Sequence, residues 1–394
     1  MPTHTATGED LFPLAALDAE TMHRITSAAV GHPVAIQAVT HQAFPYQWGS
    51  IPTAGLWRVD VDYANCLGPG RYSYFVKLLR NPRLWPQLPM LPEAIRESIL
   101  EHMPWKFEHE MYQCGIGEVL PDGMRMPLLH HAEVIGDDYI ALWWEFVDVD
   151  PHPWSHDDFA RTAELLGRLA ARRREGAVVN ELLPERCHLG GDLRALRYFV
   201  ANRVMSIDLG LLREDSVWKA PLIAEALIAV GDPDLPGDML ALADRIPAIL
   251  DRLDELPQTY SHGDASPQNL LIPTADRSER IVIDWGFGSL MSIGFDLGQL
   301  LIGLAHAGEI DPEELPGIQS VIEPAFVDGL TAEGYECPPA VVHEGFIGAL
   351  VARSALSAIP FEVLDRPESE DSAALIRNRL RLTRVLVDLS KELG

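Results

Sequence analysis

With 394 residues the chain has room for two domains or one large bilobal unit, and its 47% apolar and 23% charged residues are the balance of a folded protein, not a disordered one. A formal charge of −27 argues against nucleic acid or an anionic membrane surface as the main partner, since both select basic surfaces. The same acidity would suit a cationic small molecule, or would serve solubility alone.

Residues 34–80 read as strands: Trp57, Val59, Val61 and Tyr63 alternate with Arg58, Asp60 and Asp62, the period-two pattern of a half-buried strand. A second such run covers residues 71–79, after Gly68-Pro-Gly70. A proline-rich stretch follows, with Pro82, Pro86, Pro89, Pro92 and Pro104, enclosing a short helix near 93–102. Residues 105–115 read as helix, and 126–134 and 138–146 as two more strands. Asp148-Val-Asp-Pro-His-Pro153 reads as a linker, because the residue before each proline resists the helical conformation. Beyond it the period becomes 3.6: Ser155 and Asp158 form a capping box, and Phe159, Ala163, Leu166 and Ala170 share one helical face. Further helices are predicted over 192–206, 217–230, 237–255, 296–307, 316–333, 340–357 and 371–391, with short strands at 269–273 and 280–284.

The chemistry concentrates in Tyr260-Ser-His-Gly-Asp-Ala-Ser-Pro-Gln-Asn-Leu-Leu-Ile-Pro273 and Ile281-Val-Ile-Asp-Trp-Gly286. Asp264 and Asn269 stand five residues apart, and Asp284 closes a short apolar strand. Phosphoryl transfer needs such a set: one carboxylate to orient a hydroxyl nucleophile, and two oxygen ligands for the magnesium on the nucleotide phosphates. The plainer alternatives are a turn cap at Asp264, a turn asparagine at Asn269 and a strand-end aspartate at Asp284. Lys77 is a further candidate, because it stands inside the apolar run Tyr74-Phe-Val-Lys-Leu-Leu79 and a buried ammonium needs an anionic partner.

His262-Gly-Asp-Ala-Ser-Pro-Gln-Asn269, Ile283-Asp-Trp-Gly286 and Gly294-Phe-Asp-Leu297 together resemble the aminoglycoside phosphotransferase and choline kinase family of the protein-kinase-like superfamily. That resemblance implies an α+β, bilobal protein-kinase-like fold. Residues 1–147 would form a small lobe with an antiparallel β-sheet and one main helix, and 148–394 a larger, mostly helical lobe carrying the catalytic loop. It implies Asp264 as the catalytic carboxylate, Asn269 and Asp284 as metal ligands, and His262 and Asp296 as scaffold. Lys77 would hold the nucleotide α- and β-phosphates, partnered by Glu110, with Glu108 the alternative. Gly49 and Ser50 would reach the phosphates, and the strand end Trp144-Glu-Phe-Val147, with Glu145 and Val147, would pair with adenine through its backbone. Ser266 stands where many relatives carry histidine, which weakens inference about the substrate.

The implied activity is ATP- and Mg2+-dependent phosphorylation of a hydroxyl on an aminoglycoside-like antibiotic, an amino sugar or a related amine-bearing acceptor. A neutral sugar or nucleoside-type hydroxyl is the first alternative. A nucleotide-binding pseudokinase scaffold is the second, against which the joint presence of Lys77, Asp264, Asn269 and Asp284 counts. The insert 81–104 would pack on the small lobe, or gate the cleft or bind a partner, and the acidic run 365–371 would be a solvated loop, or face a cationic substrate. Cys66, Cys114, Cys187 and Cys337 stand far apart without a C-x-x-C pair, residues 1–14 show no signal peptide, and the window 345–360 is interrupted by Arg353 and too short to span a bilayer. A cytoplasmic protein is the expectation.

Overall fold

The computed structural model describes residues 8–44, 50–184, 192, 194–361, 364 and 369–393, and the chain separates into two compact units. In the first, β1 (Ala35–Ala43), β2 (Thr53–Asn65), β3 (Gly68–Arg80), β5 (Leu129–Ile135) and β6 (Tyr139–Glu145) form an antiparallel sheet in the order β1-β2-β3-β6-β5. The alternation in β2 does what its period demands: Trp57, Val59 and Val61 are buried, while Arg58 and Asp60 pair at 2.9 Å on the opposite face. Two helices that the sequence reading did not anticipate, α1 (Gly8–Ala15) and α2 (Ala19–Val30), precede the sheet. Asp18 caps α2 by accepting the Thr21 amide at 2.7 Å, and Gly31 ends it at φ 73°.

These two helices close one face of the sheet: Phe12, Met22 and Ile25 pack with Trp57, Tyr74, Val76, Leu78 and Trp143. Each such large side chain taken from water contributes roughly 1.5–3 kcal/mol. The other face holds Leu79, Ile140, Leu142 and Trp144, with Phe75, Trp105 and Tyr112 against them. Here lies α4 (Phe107–Gln113), and α3 (Glu93–His102) forms where the proline-rich stretch was expected to enclose a short helix. Because neighbouring strand residues point to opposite faces, Lys77 shares the α4 face with Phe75 and Leu79.

The second unit contains β4 (Met124–Arg125), α5 (His156–Arg172), α6 (Ala195–Phe199), α7 (Leu209–Leu212), α8 (Asp215–Trp218), α9 (Pro221–Val230) and α10 (Leu235–Glu255). After these come β7 (Gln258–Ser261), β8 (Leu270–Leu271), β9 (Arg280–Val282) and β10 (Ser289–Ser292). The chain finishes with α11 (Phe295–Ala307), α12 (Leu315–Ala332), α13 (Pro339–Ser354) and α14 (Glu370–Leu389). The capping box at the start of α5 is made as read: Ser155 Oγ accepts the Asp158 amide and Asp158 Oδ2 accepts the Ser155 amide. The helix expected over 192–206 instead winds as α6 followed by a π-helical segment, Val200–Asp208. At its end Arg203 meets the buried Asp208 across five residues, the spacing of π-helical hydrogen bonds rather than of an α-turn.

Two segments lie in the unit other than the one that surrounds them in the sequence. Glu118–Arg125 lies in the helical unit, because β4 pairs in parallel with β9. Pro273–Arg277 lies in the sheet unit, where Pro273 bridges Val149, the Thr274 amide donates to Asp148 O at 2.8 Å, and Arg277 pairs with Asp150 at 2.8 Å. No helix among the described residues is long and apolar enough to cross a membrane.

Candidate active site

The loop after β7 is held from below by one carboxylate. Asp296, in the first turn of α11 and buried, accepts the amides of His262 and Gly263 at 2.9 Å each. Burial pushes the Asp296 carboxyl above its ordinary range, opposed by His262, by those two N–H groups and by Arg173. Gly263 turns the chain at φ +88°, and a Cβ there would stand 2.2 Å from the Phe287 carbonyl oxygen, so only glycine fits. His262 braces the loop from the side: its Nδ1 lies 3.2 Å from the Asp264 amide and its Nε2 2.9 Å from the Ile283 carbonyl, the partners of the tautomer protonated at Nε2. Trp285 covers that ring with centroids 4.6 Å apart.

Asp264, Asn269 and Asp284 are each half-buried, and the strand register brings them to one end of a hairpin. The Asp264 carbonyl accepts the Ser266 amide at 2.8 Å, and the turn Pro267–Asn269 delivers Asn269 into β8. Leu270 pairs with Val282 and Leu271 with Ile281, and the Ile283 amide donates to Asn269 O at 3.0 Å, so Asp284 leaves β9 beside Asn269. Asn269 Nδ2 donates to the Asp264 carbonyl at 2.9 Å and to Asp264 Oδ2 at 3.0 Å. That fixes the amide with Oδ1 turned away from Asp264. Asp284 adopts φ 58°, the only non-glycine residue with positive φ among those described. Aspartate tolerates the left-handed region better than most residues, and strained backbone of this kind clusters at functional sites.

The sequence reading missed one partner. Arg353, near the end of α13, places Nη2 at 2.9 Å from Asp264 Oδ1, and its Nη1 donates to the Gly263 carbonyl. Phe199, Phe287 and Phe295 ring its guanidinium at 5.1–5.9 Å. In sequence it showed only as a charge interrupting an apolar helix, which was itself the signal that the position has a polar partner.

In the sheet unit Lys77 Nζ meets Glu108 Oε2 at 2.5 Å, with both side chains 9% exposed. The expected partner, Glu110, gives way to Glu108. Residues two apart on a helix point about 200° from each other, and Glu108 is buried with Phe107 and Met111 on the face that meets the sheet. Ser50 sits in the turn into β2, where its carbonyl accepts the Thr53 amide at 3.2 Å; Gly49 lies outside the described residues. Glu145 ends β6, exchanging its amide with Leu128 O and its Oε1 with the Leu128 amide at 2.9 Å each, and the Phe146 amide donates to Ser73 O at 3.1 Å. Val147 follows, half-buried and outside any regular element. Residues 365–368 of the acidic run, and Cys187, also lie outside the described residues. No group of three or more His, Cys, Asp or Glu side chains gathers as a metal cage among those described.

Comparison with known proteins bears on the second unit. A model of the family described as "Phosphotransferase enzyme family" matches residues 189–320, a span that includes the whole His262-to-Asp296 assembly. No curated protein matches the chain in sequence. Among solved structures it is similar to an aminoglycoside phosphotransferase from Alicyclobacillus acidocaldarius (14% identity, 91% of this chain and 92% of that one, TM-score 0.49). It is also similar to choline kinase from Cryptosporidium parvum (12% identity, 90% of each chain, TM-score 0.46) and to an amicoumacin kinase in complex with AMP-PNP, Ca2+ and Ami (15%, 87% and 90%, TM-score 0.45). Residues 189–320, about a third of the chain, are thus similar to the phosphotransferase enzyme family.

Proposed function

We propose that this phosphotransferase is an ATP- and Mg2+-dependent small-molecule kinase that passes the γ-phosphoryl group to a hydroxyl. The observation that carries the reading is the clamp on Asp264: Asn269 holds Oδ2 and Arg353 holds Oδ1, with Asp284 delivered alongside by the β8–β9 register. A carboxylate held so is oriented to accept the acceptor's O–H and to align its oxygen with phosphorus. The acceptor oxygen bonds to the γ-phosphorus as the bond to the β,γ-bridging oxygen breaks, the hydroxyl proton passes to Asp264, and ADP leaves.

The residues present fit magnesium. Asn269 Oδ1 and the Asp284 carboxylate are hard oxygen donors, and magnesium takes one or two such protein ligands, completing its shell with phosphate and water. Bound there, the ion would offset the phosphate charge. In this reading Lys77, held by Glu108, takes the α- and β-phosphates, Ser50 approaches them with backbone or hydroxyl groups, and the chain from Glu145 to Val147 offers its backbone to adenine.

The charge of −27 supports an amine-bearing acceptor, such as an aminoglycoside-like antibiotic or amino sugar. A neutral sugar or nucleoside-type hydroxyl is the second reading. It is favoured by Arg353, whose cation at Asp264 would repel an ammonium group carried close to the reacting hydroxyl. Release of ADP, followed across aminoglycosides, amino sugars, neutral sugars, nucleosides and choline, decides between them. Turnover of none of these would leave the scaffold alternative standing.

A further inference from the structure

The pairing between α13 and the Asp264 loop lies outside the motif that the family match covers, since Arg353 follows residue 320. Its side chain is 13% exposed, makes two charge-assisted contacts to the loop (the Gly263 carbonyl and Asp264 Oδ1), and is enclosed by three phenylalanine rings. Surface ion pairs are loose because both side chains keep their freedom; a guanidinium boxed by aromatic faces and tied to a backbone carbonyl is not.

We propose that Arg353 is the positioning residue of the transfer site, resting on the reading of Asp264 as the carboxylate that orients the acceptor. With Asn269 on Oδ2 and Arg353 on Oδ1, each carboxylate oxygen spends one lone pair on a fixed donor and keeps one for the hydroxyl. The carboxylate plane is thereby set before substrate arrives. The pair also has an electrostatic consequence. Before reaction the guanidinium and carboxylate cancel, so a polyanionic nucleotide does not meet a bare negative charge. As the hydroxyl proton moves to Asp264, the arginine charge is uncovered beside the acceptor oxygen as it bonds to phosphorus. Preorganised charge of this kind acts where charge develops.

The test uses the full-length protein and the acceptor found by ADP release, or slow hydrolysis of Mg·ATP by water if none is found. Arg353→Met keeps the stem among the rings and removes the charge; Arg353→Lys keeps charge and loses the fork; Arg353→Ala opens a site for free guanidinium. The expected result is a fall in kcat of about a hundredfold in Arg353→Met, a smaller fall in Arg353→Lys, an unchanged KM for ATP, and partial recovery of Arg353→Ala by guanidinium at sub-denaturing concentration. Binding of Mg·AMP-PNP and the unfolding midpoint are measured alongside. If Arg353→Met does not fold, Arg353→Lys and guanidinium rescue decide. Wild-type kcat in Arg353→Met or Arg353→Lys, or no rescue of a folded Arg353→Ala, overturns the proposal. Asp264→Ala, run in parallel, separates the two claims: if it keeps full activity the reading of Asp264 fails, whereas if it is inactive while the Arg353 variants are not, only the role of Arg353 fails.

Discussion

At the scale of single residues, burial decides which charges matter. The Lys77–Glu108 pair is nearly enclosed, so truncating one partner removes a close opposite charge from a dry environment. Glu108→Ala is therefore expected to destabilise by about 3–5 kcal/mol, whereas Glu110→Ala, on the half-buried side of α4, should cost less than about 1 kcal/mol. Urea unfolding of the two variants checks this, and equal losses would contradict the assignment of the pair. Asp264→Ala is a different kind of change. It removes an oriented acceptor without opening a core cavity, so turnover should fall by on the order of a hundredfold or more while Mg·AMP-PNP binding stays near normal. Retained turnover would sink the mechanism.

At the scale of elements, β3 and β5 each carry a polar group that the sheet has partly enclosed. His130 on β5 lies 2.8 Å from the Tyr72 hydroxyl, and burial holds its imidazole below the ordinary histidine value, with Glu145 pulling the other way. The unfolded chain therefore takes up the proton first as pH falls. The stability that depends on neutral His130 is complete above roughly pH 6.5, declines as pH drops through the lowered folded value, and then levels, with a slope of at most about 1.4 kcal/mol per pH unit. His130→Gln should flatten that part of the profile relative to the parent, measured by urea unfolding between neutral and mildly acid pH. An identical profile in the variant would show that other groups carry the dependence.

At the scale of the whole molecule, the residues given roles fall in both compact units, Lys77 in the sheet unit and Asp264, Asn269 and Asp284 in the helical unit. Lys77→Met and Asp284→Asn should each abolish turnover, though the changed residues lie in different units. Chelation of the metal should do the same without lowering the unfolding midpoint of nucleotide-free protein, because the ion is held together with the phosphates and not by a protein cage. Turnover in excess chelator would refute the roles given to Asn269 and Asp284.

By itself the sequence determined the parts whose geometry is local. Five residues from Asp264 to Asn269 span one tight turn, and the apolar runs around it pair as β8 and β9, so spacing alone brought Asp264, Asn269 and Asp284 together. The same holds for β2, whose alternation fixed its buried face, and for the capping box that starts α5. Tertiary structure decided what covalent spacing cannot. The choice of Glu108 over Glu110 depended on how α4 rolls against the sheet, and the π-helical winding of Val200–Asp208 is more than a 3.6 period can announce. Arg353 reached Asp264 across 89 residues of chain only because α13 packs against α11 and the loop ahead of it. A contact of that separation is set by the packing of whole helices, and no spacing rule along the chain encodes it.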